Sequence, residues 1–98
     1  MSPALPEAAP EGACCAVRFM LDAEAAPGLL SRLLQPFARR DLVPDRMWSH
    51  RLRGVLHIEI AMDAMPGEVV HLVEGNLRQV VGVHSVTRVT EQDFRRAA

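Results

Sequence analysis

Aromatic side chains are scarce in this chain. They make up 4% of its 98 residues, with one tryptophan, three phenylalanines and no tyrosine. An excess of one charge is missing too. Eleven basic residues stand against twelve acidic ones, for a net charge of -1. A chain so balanced offers no electrostatic footprint for nucleic acid or an anionic membrane surface. No apolar run approaches the ~20 residues that span a bilayer. The first residues lack the basic start and apolar stretch of an export signal. These absences set the expectation of a cytoplasmic protein with no nucleic-acid or membrane partner. Cysteine is limited to the adjacent Cys14 and Cys15. Neighbours on a strand point to opposite faces, so these two are poor partners for each other or for one metal. One buried and one partly exposed thiol in a reducing compartment is the expectation.

What is present is ordinary globular composition, 49% hydrophobic and 23% charged, at a length that suits one domain. Residues 1–12 carry Pro3, Pro6 and Pro10 with no hydrophobic period, and read as a disordered tail. Residues 14–22 alternate as a strand, with Cys15, Val17, Phe19 and Leu21 on one face and Ala16, Arg18 and Met20 on the other. Residues 27–40 have a helical stripe of Leu29, Leu30, Leu33, Leu34, Phe37 and Ala38, with Pro27 in the first turn. Pro36 lies inside that stripe and predicts a kink or a break, at a cost of ~3 kcal/mol. Residues 43–52 read as a second strand, either at a sheet edge or irregular in its first residues, because Pro44 cannot donate to a ladder. Arg53-Gly54 is a tight hairpin turn into a third strand, 55–62, with Leu56, Ile58, Ile60 and Met62 inward and His57 and Glu59 outward. Residues 66–81 read as a second helix with Val69, Val70, Val73, Leu77, Val80 and Val81 inward, a Glu74–Arg78 pair, and Gly82 as its cap. Gly75 either permits close packing or sits on the outer face. Residues 83–90 form a last strand, whose valines at every third position suggest a bulge. Residues 91–98 are a second tail.

The order βαββαβ predicts an α+β protein, a ferredoxin-like sandwich of one four-stranded antiparallel sheet with two helices on one face. The folded domain is expected over residues 13–90.

Within that frame, Val17-Arg18-Phe19-Met20-Leu21, the helix start Pro27-Gly28-Leu29-Leu30, the segment Leu34-Gln35-Pro36-Phe37-Ala38-Arg39-Arg40 and the stretch from Leu77 to Val86 resemble an ACT domain, a small regulatory module found with enzymes of amino-acid metabolism. The small regulatory subunits of acetolactate synthase look most similar, with a Pro-Gly helix start and a Phe-x-Arg-Arg helix end. The resemblance implies a homodimer that binds an amino-acid effector at its interface, or a regulatory subunit of a biosynthetic enzyme. Carried onto this chain, the ligand site is Glu24, Ala25, Ala26, Pro27, Gly28 and Leu29. Unpaired N–H groups at a helix start are suited to a carboxylate. The alternative is that Gly28 only shapes the turn. The family's effector-contacting asparagine has no counterpart, because Val43 occupies its place. Asp45 is a nearby polar candidate. A module that associates without ligand is therefore the second reading.

On the other sheet face, Arg18 and Glu59 are placed to form a cross-strand ion pair. With His57, and with Met47 and Trp48 from the edge strand, they are candidates for an interface, where tryptophan is enriched. His50, His57, His71 and His84 come from different elements without metal-ligand spacing, so neither a metal nor a cofactor is expected. No nucleophile–base set, phosphate loop or spaced carboxylate pair appears, so a non-enzyme is expected. The aromatic platform of RNA-binding sheets is missing as well: Phe19 faces the core.

Overall fold

The computed structural model describes residues 13–90. The expected tails, 1–12 and 91–98, lie outside the described residues. The chain runs β1 (Cys14–Glu24), α1 (Leu29–Ala38), β2 (Arg46–Leu52), β3 (Val55–Pro66), α2 (Val70–Arg78) and β4 (Val83–Thr90), with a 3-10 turn at Gly67–Val69. The four strands form one antiparallel sheet in the order β2-β3-β1-β4. This is the ferredoxin-like βαββαβ sandwich that the sequence predicts; β2 lies at an edge, but it begins at Arg46, so Pro44 of the expected strand 43–52 precedes it and takes no part in the ladder.

The alternation of β1 determines the two faces. Val17, Phe19, Leu21 and Ala23 are buried against Leu29, Leu33 and Phe37 of α1 and Val70, Val73 and Leu77 of α2. The rings of Phe19 and Phe37 meet edge to face at 5.9 Å and 74°, a favoured aromatic geometry. Cys15 packs against this core and Cys14 is exposed.

Two irregularities reconcile the sequence with the pleat. β3 continues four residues past the expected end at Met62. Its register against β1 shifts where Asp63 and Ala64 oppose Ala16 alone, which returns Met65 to the core. In β4 the shift lies between Asp22 and Ala23, which pair with Ser85 and Val83 and leave His84 as the extra residue. Val83 and Val86 therefore share the core side although they are three apart.

The helices are shorter than their hydrophobic patterns. Ala26 to Leu29 form a turn closed by the Leu29 N–H donating to the Ala26 carbonyl at 3.2 Å. Gly28 adopts φ 80°, ψ -6°, the third-position geometry of a type II turn, and Pro27 precedes it as that turn prefers. Pro27 thus shapes the approach to α1 instead of opening the helix. Pro36 does not divide α1, which stays one element with the proline ring buried. The helix closes soon afterwards. Leu42 N–H reaches the Phe37 carbonyl and Asp41 N–H the Ala38 carbonyl, with Asp41 at φ 56°, a Schellman closure. Arg40 donates to the Pro36 carbonyl at 3.1 Å, consistent with a basic residue at a helix C-terminus. Leu30 and Leu34, expected inward, are each 37% exposed.

The segment expected to open α2 at Pro66 is used by β3 and the 3-10 turn. The helix ends at Arg78, so Val81 falls in the following turn, 81% exposed, not on the core face. Gly82, at φ 99°, belongs to that turn and not to the cap. The Glu74–Arg78 pair forms at 2.6 Å, and Arg88 of β4 approaches the same carboxylate at 3.4 Å.

Three substitutions test this packing by urea unfolding. Phe37→Ala is expected to lose about 3–5 kcal/mol at unchanged m-value. Gly75→Ala is expected to gain about 0.5–1 kcal/mol, because a Cβ there meets nothing within 4 Å. Gly28→Ala is expected to lose about 1 kcal/mol or more, from its left-handed backbone. A stabilised Gly28→Ala would contradict the turn described here.

Candidate functional site

β1 ends at Glu24, paired with Val55, so the β1–α1 loop emerges beside the β2–β3 hairpin. Ala25 N–H donates to the Gly54 carbonyl at 3.1 Å and fastens the loop to the hairpin turn. Arg32 N–H donates to the Gly28 carbonyl at 3.1 Å. Among the described residues, no backbone carbonyl takes the N–H of Gly28, Leu30 or Ser31. These are the orphan donors of a helix start.

They border a groove of about 330 Å³ between the loop Ala25–Gly28, Leu30 and Ser31 on one side and Arg51 and Leu56 on the other. Arg51 belongs to β2, and Leu56 lies across from it on β3. A second guanidinium stands close by: a Cβ on Gly28 would lie 3.3 Å from Nη1 of Arg32. Free N–H groups, the positive helix end and two arginines make this a place for a small anion. Leu30 and Leu56 supply an apolar side. The volume is at the lower end for ligand pockets, the scale of a single amino acid.

The expected ligand residues divide. Ala25, Ala26, Pro27 and Gly28 line the groove. Leu29 is fully buried in the core, and the Glu24 carboxylate turns toward Gly82 instead. Val43 and Asp45 lie elsewhere in the chain. Arg46 aligns with Ala61, and Ala61 with Arg18, which places the start of β2 at the end of the sheet away from the loop. Val43 is 80% exposed there, while Asp45 accepts a 2.6 Å bond from the Asp63 N–H. Sequence reasoning missed Arg51 and Ser31. The available signal was the two-residue hairpin, which counts back to Arg51 opposite Leu56.

The open sheet face carries the other candidates. Arg18 pairs with Glu59 at 3.4 Å, as expected, and His57 Nδ1 lies 2.6 Å from Asp22. Arg46 pairs with Asp63 at 3.0 Å, and that hydrogen bond and charge hold its guanidinium above the ordinary arginine value. Trp48 is 58% exposed and stacks on His50 at 6.0 Å and 17°. It stands between two hollows, of about 260 Å³ toward Met20 and about 300 Å³ toward Ala61. Met47 is on the helix side of the same strand, so it does not join Trp48 on this face. No group of three His, Cys, Asp or Glu residues suited to a metal occurs among the described residues. None of the described helices is long and apolar enough to cross a membrane.

The comparisons with known proteins agree with this architecture. No curated protein matches the sequence. Among solved structures, the ACT domain from GTP pyrophosphokinase of Chlorobium tepidum is similar with a TM-score of 0.66, covering 78% of this chain and 99% of that one at 14% identity. At that identity the likeness is one of fold. The profile of the ACT-like domain matches residues 10–94, which takes in every strand and helix described above. The chain belongs to the ACT-like domain family.

Proposed function

We propose that this ACT-like module is a non-catalytic regulatory domain that senses an amino acid in the groove between the Ala25–Gly28 loop and Arg51. The observation that carries this reading is the convergence of unpaired N–H groups and a guanidinium on a space of amino-acid size. The ligand's carboxylate faces the Gly28, Leu30 and Ser31 N–H groups and Arg51, and a small apolar side chain rests on Leu30 and Leu56.

The sensing unit is a homodimer through the free edge of β2. The two-residue hairpin pairs Leu52 with Val55, so alternate residues bond inward to β3. Met47, Ser49 and Arg51 then present their N–H and C=O groups outward. A twofold axis at Ser49 sets Met47 of one copy opposite Arg51 of the other. Residues 43–45 of each copy then run past the other's loop, which unites Val43 and Asp45 with the groove. Ligand bound across that junction shifts the population of a state competent for a partner. An enzyme of amino-acid biosynthesis such as acetolactate synthase, in the cytoplasm, is the partner class this role suits. The structurally similar ACT domain comes from GTP pyrophosphokinase, an instance of this fold in an enzyme. The second reading is association without a ligand, favoured by the exposure of Trp48 beside an unpaired edge.

Thermal unfolding of the purified chain against each of the twenty amino acids separates these readings, with sedimentation in parallel. A ligand at about ten times its Kd stabilises the fold by about 1.4 kcal/mol, which raises the Tm by roughly 6–11 °C. Arg51→Ala is expected to weaken that ligand about tenfold or more while the dimer persists. A stable dimer whose Tm no amino acid raises would contradict sensing and leave the association reading.

A further inference from the structure

The hairpin sets His50 of β2 directly opposite His57 of β3, and His57 stands opposite Asp22 of β1, which pairs in turn with Ser85 of β4. These four residues cross the open sheet face in one row. The two histidines are too far apart in sequence to signal a shared site, and only the two-residue turn brings them together. Cβ atoms of directly opposed residues stand about 4.5–5.5 Å apart. Two imidazoles at that separation reach a common point with one nitrogen each, as a metal ion held at about 2.0–2.1 Å from both requires.

Asp22 prepares His57 for this role. Its Oδ1 lies 2.6 Å from Nδ1 of the ring. A carboxylate only accepts, so Nδ1 carries the proton and the neutral ring keeps the lone pair of Nε2 free. The two nitrogens point to opposite sides of the ring. With Nδ1 held toward β1, Nε2 is turned outward and toward β2, the side of His50. A carboxylate behind the imidazole is the usual support of a metal-binding histidine, since it fixes the ring and raises its basicity. The side chains of His57 and Asp22 are 41% and 49% exposed, so an ion enters from solvent without opening the fold. His50 stacks on Trp48 through its ring face. That leaves the ring edge available, and no hydrogen bond among the described residues occupies its nitrogens. Arg18 and Arg46 lie four residues along their strands from this row and are paired with Glu59 and Asp63, so their charges are offset locally.

We propose that His50 and His57 form a binding site for a divalent transition-metal ion, with Asp22 as the positioning residue behind His57 and water completing the coordination. Imidazole ligands select nickel, copper and zinc over magnesium and calcium, which prefer oxygen. A third histidine or carboxylate to close the site is absent among the described residues, so the ion exchanges with solvent and keeps open positions. The site lies on the open sheet face and does not depend on the effector groove, which opens on the helix side.

The test titrates the untagged, chelator-treated chain with Ni²⁺, followed by calorimetry and by the fluorescence of Trp48, the only tryptophan. Nickel on His50, whose ring lies 6.0 Å from the indole, is expected to quench that emission with one ion per chain, and Mg²⁺ to leave it unchanged. His50→Ala and His57→Ala are each expected to abolish the calorimetric site. In His57→Ala the Trp48–His50 stack remains, so loss of quenching there reports the missing ligand. Asp22→Asn is expected to weaken binding about tenfold or more. His84→Ala, at the bulge in β4, is expected to bind as the wild type does. Circular dichroism checks the fold of each variant. A wild-type chain that does not bind Ni²⁺ overturns the proposal. So does a site that survives in either His50→Ala or His57→Ala, or one lost in Cys14→Ser. Unchanged affinity in Asp22→Asn overturns the part given to Asp22.

Discussion

Phe19 on the central strand meets Phe37 near the end of the first helix, and the rest of the molecule is arranged around that contact. Because β1 lies between β3 and β4, its alternation is imposed on both neighbours. Burying Val17, Phe19, Leu21 and Ala23 turns Arg18, Met20 and Asp22 to the opposite face. It also determines where β1 stops, and hence where the loop to α1 meets the hairpin. A slip of one residue in β1 would exchange the two faces and remove both the groove and the charged row. Core and surface are therefore two consequences of one pleat.

The groove follows from a local constraint at Gly28. The type II turn needs a left-handed backbone at that residue, and this conformation delivers the chain into α1 with its first N–H groups facing outward. The turn-shaping role of Gly28 is thus compatible with the anion-binding role proposed for its loop. What the turn alone does not supply is charge specific to the site. That comes from Arg32, one turn along the helix, and from Arg51, brought by the hairpin.

Most of the fold was legible because its core residues follow clean periods. β1 and the first half of β3 alternate strictly, and Leu29, Leu33 and Phe37 mark one stripe of α1. The departures have identifiable causes. The breadth of the leucine pattern in α1 concealed that Leu30 and Leu34 lie at its margin. Asp63 and Ala64 hid the continuation of β3, since a bulge breaks the alternation by which a strand is read. Val81 continued a helical pattern that the backbone had already left. The site was legible only in part. Ala25 to Gly28 are contiguous and carry a turn signal. Arg51 reaches the groove through tertiary pairing, on a strand so exposed that it has no hydrophobic pattern to orient it. The placement of Val43 and Asp45 at the far end of the sheet likewise follows from topology, which local patterns do not contain.

Regulation by such a module depends on whether the groove holds a ligand through its backbone donors. The most direct measurement is a set of amide nitrogen–proton correlation spectra of the labelled chain, titrated with each of the twenty amino acids. The account predicts saturable shifts, for one or a few of them, at the amides of Gly28, Leu30 and Ser31 and at the Arg51 side chain, with the core amides of β1 unmoved. Shifts confined to the open sheet face around Trp48, or none for any amino acid, would contradict it.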